Sequence, residues 1–204
     1  MGRDSAVIRP AGEVDAPAIA DAAFMAGHGM FDLMYEGLLP GHSAREAYRE
    51  RRVLKPGHFS HWRNWFVAED QPGRVAGALN VFPHDMLLSA APDPLMPRER
   101  LGPFADLDIE ERAVGSYYLN IVSIFPAFRG LGIGAGLVRH AMHLAVENGF
   151  DRIALSTWGD DAELMAFYGR LGFRPIAECR VAPDPRLDAG SLYTLLEKSL
   201  STPA

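Results

Sequence analysis

One run constrains this chain more than any other: Phe125-Pro126-Ala127-Phe128-Arg129-Gly130-Leu131-Gly132-Ile133-Gly134-Ala135-Gly136. Before it lies Gly115 to Phe125, rich in aromatic and β-branched residues and therefore read as a strand. After it lies Ala135 to Asn148, a helix with Leu137, Val138, Ala141, Met142 and Ala145 on one stripe and Gly149 at its close. A strand thus feeds an amphipathic helix through a loop with four glycines at alternate positions. Without Cβ atoms in the way, several main-chain N–H groups can converge on one anion. The helix start adds unsatisfied donors and the positive end of its dipole, and Arg129 a permanent charge at the entrance. Such a loop is a cradle for a phosphate or pyrophosphate. A bare turn is the alternative, but each glycine at a helix entry costs roughly 0.5–1 kcal/mol against alanine, which favours a use for the exposed backbone.

Two familiar cradles fit poorly. A Walker loop needs Gly-Lys-Ser/Thr at the helix start, and here Gly134 is followed by Ala135-Gly136. A dinucleotide fingerprint is nominally present as Gly130-x-Gly132-x-x-Ala135 with Asp160 downstream. That motif turns directly out of the first strand of its fold, whereas here four residues intervene and several elements come earlier.

The remaining pattern is mixed α/β. Ala6 to Pro10 reads as a short strand, and Asp15 as the cap of a helix with Pro17 in its first turn and Gly27 and Gly29 as breakers. Met30 to Leu39 is a second apolar segment. Ser43 and Glu46 form a capping box for a helix over 44–54. Two strands, 65–69 and 75–82, flank a turn at 70–74. Five prolines between Pro83 and Pro103 mark residues 83–114 as a long insertion or lid with one short helix at most. Beyond the cradle come a strand at 152–158, a helix capped by the pair Asp160 and Glu163 with Leu164, Phe167, Tyr168 and Leu171 on its stripe, and closing strands at 175–181 and 192–200. We expect one domain over residues 1–204.

Composition removes whole classes. Twenty basic against 26 acidic residues, a net charge of −6, argue against generic nucleic-acid binding. The single cysteine, Cys179, excludes an internal disulfide and a cysteine-rich zinc site. The first residues hold no apolar signal core, Ala6 breaks the myristoylation pattern, and no stretch is long enough to span a bilayer. The expectation is a cytoplasmic protein with no membrane partner and no metal.

Arg129-Gly130-Leu131-Gly132-Ile133-Gly134 resembles the Arg/Gln-x-x-Gly-x-Gly/Ala signature of the GNAT superfamily of acyl-CoA-dependent N-acetyltransferases. The flanking strand and helix, and later Ala166-Phe167-Tyr168-Gly169-Arg170-Leu171-Gly172-Phe173, match that family's segments in order and spacing. The likeness covers about residues 115–200, and the N-terminal half by element order. It implies a central mixed sheet splayed between its fourth and fifth strands, with helices on both faces. Acetyl-CoA would then lie in the gap as cosubstrate, its pantetheine arm on the backbone of Val122, Ser123 and Ile124. Its pyrophosphate would sit on the amides of Arg129, Gly130, Leu131, Gly132, Ile133 and Gly134. The Ile124 N–H would polarise the thioester carbonyl, and Tyr168 matches the tyrosine near the CoA sulfur, the expected catalytic acid. Where the family often has a cofactor-contacting asparagine, this chain has Asp161.

The implied activity is acetyl transfer to a primary amine by direct attack, with a small-molecule amine or peptide amine as acceptor and a homodimer compatible with a fold of this size. A non-catalytic acyl-CoA-binding module and a nicotinamide-dependent oxidoreductase are the rivals. The general base stays unassigned. The strand that often supplies it in related enzymes offers only Tyr117, Tyr118 and Asn120, and Glu36, His84 and Asp85 read more readily as surface side chains. His58/His61 and His140/His143 have i, i+3 spacing but read as solvated pairs. Phe24, Met25, Met30, Phe31, Met34 and Tyr35 read as helical core, with an apolar acceptor pocket as the other reading. Trp62 and Trp65 are either packing or a stacking surface. An acidic tilt in the insertion (Asp85, Asp93, Glu99, Asp106, Asp108, Glu110 and Glu111) favours a cationic acceptor faintly, and a solvated lid explains it equally well.

Overall fold

A computed structural model describes residues 6–90, 93–104, 109–188 and 190–200. Seven strands form one sheet: β1 (Val7–Pro10), β2 (Trp65–Gln71), β3 (Arg74–Pro83), β4 (Tyr117–Ile124), β5 (Arg152–Trp158), β6 (Arg174–Arg180) and β7 (Leu192–Ser199). Their spatial order is β1-β2-β3-β4-β5-β7-β6. All neighbours are antiparallel except β4 and β5, which run parallel and pair only through Tyr117–Ile153 and Tyr118–Ala154. Beyond those pairs the two strands part, leaving an open edge on each. The mixed, splayed sheet expected from the resemblance is therefore present.

Helices cover both faces. On one side, α1 (Ala16–Gly27), α2 (Met30–Tyr35) and α3 (Ala44–Tyr48) bury Ile19, Ala23, Phe24 and Tyr48 against Trp65, Val67, Ala78 and Ile121. On the other, α5 (Ile133–Glu147) and α6 (Ala162–Arg170) bury Leu137, Val138, Ala141 and Tyr168 against Leu79, Val81, Leu119 and Leu155. α4 (Asp85–Leu88) opens the insertion. The insertion is not a free lid: Ile109 and Ala113 are buried against Phe82, Tyr118, Ala154 and Leu195, on the sheet face opposite α5 and α6. Asp106, Asp108 and Pro92 lie outside the described residues. No helix of the described residues is long and apolar enough to cross a membrane.

Several local expectations need correction. Asp15 stands at the N-cap of α1 but makes no side-chain cap. Its carboxylate accepts two hydrogen bonds from the Arg9 guanidinium, at 2.7 and 2.9 Å, and one from Gly12 N–H. Arg9 outcompetes the helix terminus because a bidentate charged pair is stronger than a cap. The β2–β3 turn is tighter than 70–74, with only Pro72 and Gly73 between the strands and Gly73 at φ 79°. The helix after Ser43 follows its capping box, with Glu46 N–H donating to Ser43 Oγ, then widens into a π-turn over Arg49–Val53. Asp160 does not cap α6. It accepts from the N–H groups of Ser191 and Leu192, and Asp161 takes the cap, accepting from Leu164 N–H at 2.9 Å. His140 is not solvated either: its ring packs edge-on against Phe66 at 4.7 Å, and burial lowers its pKa. Its neighbour His143 is exposed and pairs with Glu147.

Candidate active site

The open wedge between β4 and β5 is where the cradle and the tyrosine meet. β4 carries a bulge: Asn80 faces Ile121 and Val81 faces Leu119, so Asn120 is an extra residue. The bulge reverses the alternation of the strand. Tyr117 and Leu119 face α5 and α6 before it, and Val122 and Ile124 after it, while Ile121 faces α1. Asn120 is held there by donating from Nδ2 to Asn80 Oδ1 at 2.8 Å; buried Asn80 in turn donates to the carbonyls of Asn64 and Phe59.

The end of β4 fixes which main-chain groups are free. Phe125 N–H donates to Ala76 on β3 at 2.9 Å. Strand alternation then turns the N–H and C=O of Ser123 toward β3 as well, and those of Val122 and Ile124 toward the open edge. Arg129 Nε donates to the Ile124 carbonyl at 3.2 Å, folding the guanidinium over the strand end. Arg129 N–H is itself engaged by Pro126. Gly130 and Gly132 have φ of 75° and 80°, which a side chain would strain, so these two are required by the turn. Helix α5 starts at Ile133, two residues earlier than its apolar stripe predicted, so Ile133, Gly134 and Ala135 present first-turn N–H groups.

These groups line a cavity of about 520 Å³ together with Tyr168, Phe167 and Leu164 of α6 and Ser156 and Thr157 of β5. Val122, Ser123, Ile124, Arg129, Gly130, Gly132, Ile133, Gly134 and Tyr168 all stand on its wall. Leu131, also expected at the diphosphate, is 46% exposed and does not stand on this wall. Asp161 lies exposed at the α6 cap. Tyr168 is wedged between Phe167 and Phe173, ring centroids at 5.1 and 5.7 Å, and burial pushes its phenol well above the ordinary tyrosine value.

A second cavity, about 410 Å³, shares Ala26, His28, Asn120, Ile121, Ser156, Thr157 and Leu164 with the first. Met30, Phe31, Met34 and Tyr35 stand on its wall, while Phe24 is core and Met25 borders the first cavity, so the six-residue run divides between the two readings. Glu36 is exposed and His84 fully buried, and neither reaches these cavities. Trp65 is packing, its indole N–H donating to Ser60; Trp62 lies under the Arg63 guanidinium. His58 and His61 each accept a main-chain N–H at Nδ1. Among the described residues no three His, Cys, Asp or Glu side chains gather to hold a metal ion.

Among the insertion's acidic residues, the structure singles out Glu110. It reaches the second cavity from the insertion, with Tyr118 O–H donating to Oε1 at 3.0 Å; the same hydroxyl lies 3.0 Å from Ser156 Oγ. Burial raises its pKa, against the opposing effect of those hydroxyls. Its only sequence signal was membership of an acidic stretch.

The family model for the acetyltransferase (GNAT) family matches residues 31–173. The chain belongs to that family. Among solved structures, one described as an acetyltransferase is 21% identical, covering 96% of this chain and 100% of its own, with a TM-score of 0.68. An N-acetyltransferase from Staphylococcus aureus Mu50 is 19% identical, covering 94% and 100%, at a TM-score of 0.67. A GCN5-related N-acetyltransferase from Kribbella flavida is 19% identical, covering 98% and 100%, at 0.60. At these identities the likeness is one of fold. No curated protein matches the sequence.

Proposed function

We propose that this GNAT-family chain transfers an acetyl group from acetyl-CoA to a primary amine in a ternary complex. The observation that carries the reading is the pair of adjoining cavities. One is walled by the glycine cradle and the open edge of β4, and the other shares Asn120, Ile121, Ser156, Thr157 and Leu164 with it. A binding module needs only the first; a second chamber beside it suits a reaction between two bound molecules.

The residues present fit acetyl-CoA, which supplies an acyl thioester with a good leaving group. First-turn amides of α5 and the amides of Gly130 and Gly132 suit its diphosphate, with Arg129 at the rim. With the diphosphate in the cradle, the pantetheine arm would run back along the open edge of β4 past the Ile124 N–H, and the Val122 N–H, farther from the cradle, would meet the acyl oxygen, a contact that strengthens as negative charge grows there. Tyr168 would donate to the sulfur. Cys179 is not needed as an acyl carrier, since the acceptor reaches the acyl carbon directly.

Calorimetry with acetyl-CoA, desulfo-CoA and NAD, followed by thiol release from acetyl-CoA across an amine panel, tests the reading. We expect heat with both CoA compounds, none with NAD, and thiol release that depends on amine. Heat with NAD alone would return the dinucleotide reading; CoA binding without amine-dependent thiol release would leave a binding module.

A further inference from the structure

The reaction proposed above still lacks a group that takes the proton from the acceptor nitrogen. In water an alkylamine is almost wholly an ammonium ion at neutral pH and has no lone pair to attack with. Glu110 stands where such a group is needed. It stands on the wall of the second cavity, and its carboxylate is bonded through Tyr118 to Ser156, which lines both cavities. Among the described residues no ion pair reaches it. The groups that face it are hydroxyls or neutral. Tyr118 comes from β4, Ser156 from β5 and Tyr193 from β7, with Cys179 of β6 behind Tyr193. The ring of His84, against Tyr118 at 5.2 Å and near the Glu110 main chain, is kept neutral by burial.

Much of the remaining wall of the cavity is aromatic or aliphatic. Phe31, Met34, Phe59, Met96, Phe104 and Trp158 stand on its walls. Its other charges are already matched: Arg52 donates to Asp93 at 3.0 Å and to Tyr35 O–H at 2.6 Å, and burial together with Arg52 pulls His58 down to about 3. One unmatched carboxylate in such a chamber selects a ligand with one cation and an apolar body. A polyamine would leave its second ammonium among aromatic walls or beside Arg52. An α-amino acid would bring its carboxylate within one carbon of the nitrogen, and so against Glu110.

We propose that Glu110 anchors the ammonium group of the acceptor and then removes its proton, and that the acceptor is a small primary amine on an aromatic or branched-aliphatic body. The anchoring half stands on the cavity alone; the proton-transfer half rests on the acetyl-transfer reading. In the transfer, one nitrogen proton passes to a Glu110 oxygen and frees the lone pair. The C–N bond forms as the C–S bond breaks, Tyr168 hands its proton to the departing sulfur, and the second nitrogen proton restores the phenol. Glu110 then returns its proton to solvent.

Calorimetry with 2-phenylethylamine, without CoA, tests the anchor on the full chain. Wild type and Glu111→Gln, an exposed neighbouring site, should bind alike, and Glu110→Gln at least tenfold more weakly. Equal binding by Glu110→Gln, or no binding by wild type, overturns the proposal. Kinetics test the base. Glu110→Gln should lose on the order of 10²–10³-fold in kcat/KM with unchanged acetyl-CoA affinity. What remains should climb tenfold per pH unit toward about pH 10, where the amine deprotonates itself. Loss of less than threefold, or spermidine or glycine outrunning 2-phenylethylamine in wild type, sinks it. Should Glu110→Gln not fold, Glu110→Asp carries the test: five- to fiftyfold lower kcat/KM with the wild-type acidic limb retained, an unchanged kcat/KM being the overturning result. Amine bound through Glu110 with no heat from acetyl-CoA would instead fail the acetyl-transfer reading and leave the amine site standing.

Discussion

Tyr168 shows how burial sets a residue's part in the chemistry. A phenol at its ordinary value near 10 is already a weak acid, and desolvation raises Tyr168 further, so it stays protonated over any working pH. Full transfer to a thiolate of basicity about 8.5 is uphill in the free protein, and the hydroxyl acts best as a hydrogen-bond donor that hands over its proton as the C–S bond breaks. Tyr168→Phe should therefore lower kcat about a hundredfold while calorimetry finds acetyl-CoA affinity within a factor of two. An alkaline limb assignable to Tyr168 below pH 10 would contradict this. Other residues show why single positions are hard to assign from sequence. Asp160 and Asp161 are both plausible caps, and only the approach of the Ser191–Leu192 backbone, some thirty residues on, takes Asp160 away from α6. Glu110 was one acid among many in a proline-rich stretch. What distinguishes it, the hydroxyls of Tyr118 and Ser156, comes from two distant strands, and neither hydropathy nor spacing records it.

Among the elements, the strand–loop–helix unit at 117–147 was legible because its signals are local: β-branched and aromatic residues, a proline stop, glycines, then a 3.6-residue stripe. The bulge at Asn120 was not. It depends on β3 bringing Asn80 opposite, and it decides which side chains reach the cavity and which amides the ladder leaves free. The four glycines also divide in a way composition does not show. Gly132 needs its positive φ, so Gly132→Ala should destabilise by about 1 kcal/mol or more and weaken CoA binding with it. Gly134 sits in ordinary helix, where an added Cβ would meet Ile124 Cγ1 at 3.5 Å and Phe167 Cζ at 3.8 Å, both comfortable contacts. Gly134→Ala should stabilise the fold by about 0.5 kcal/mol through helix propensity, yet cost at least tenfold in CoA affinity because the methyl group enters the cradle. Denaturant unfolding beside calorimetry would separate the two signs. A parallel loss of both would mean that Gly134 serves the fold rather than the ligand.

The molecule as a whole is a sheet whose two faces carry different duties. α5 and α6 on one face build the cradle and place Tyr168, while α1 to α3 and the insertion on the other enclose the second cavity. The same division puts every tyrosine of the chain, six in all, into sheltered positions, and burial raises the pKa of each: Tyr35, Tyr48, Tyr117, Tyr118, Tyr168 and Tyr193. The linkage has a definite sign. Above about pH 10 the unfolded chain ionises its phenols and the folded one does not, so the unfolded state binds fewer protons and stability falls as pH rises. Stability from these groups is complete below about pH 10 and is lost through the alkaline range above it. Ultraviolet titration of the native protein should therefore show little phenolate until the chain unfolds, and then all six phenols together with the loss of far-ultraviolet circular dichroism. Stepwise ionisation of single tyrosines near pH 10 with the fold intact would mean that solvent reaches the cavities far more freely than their walls imply. The buried Tyr118–Glu110–Ser156 group would then be open to water, and the base would work at an ordinary carboxylate pKa.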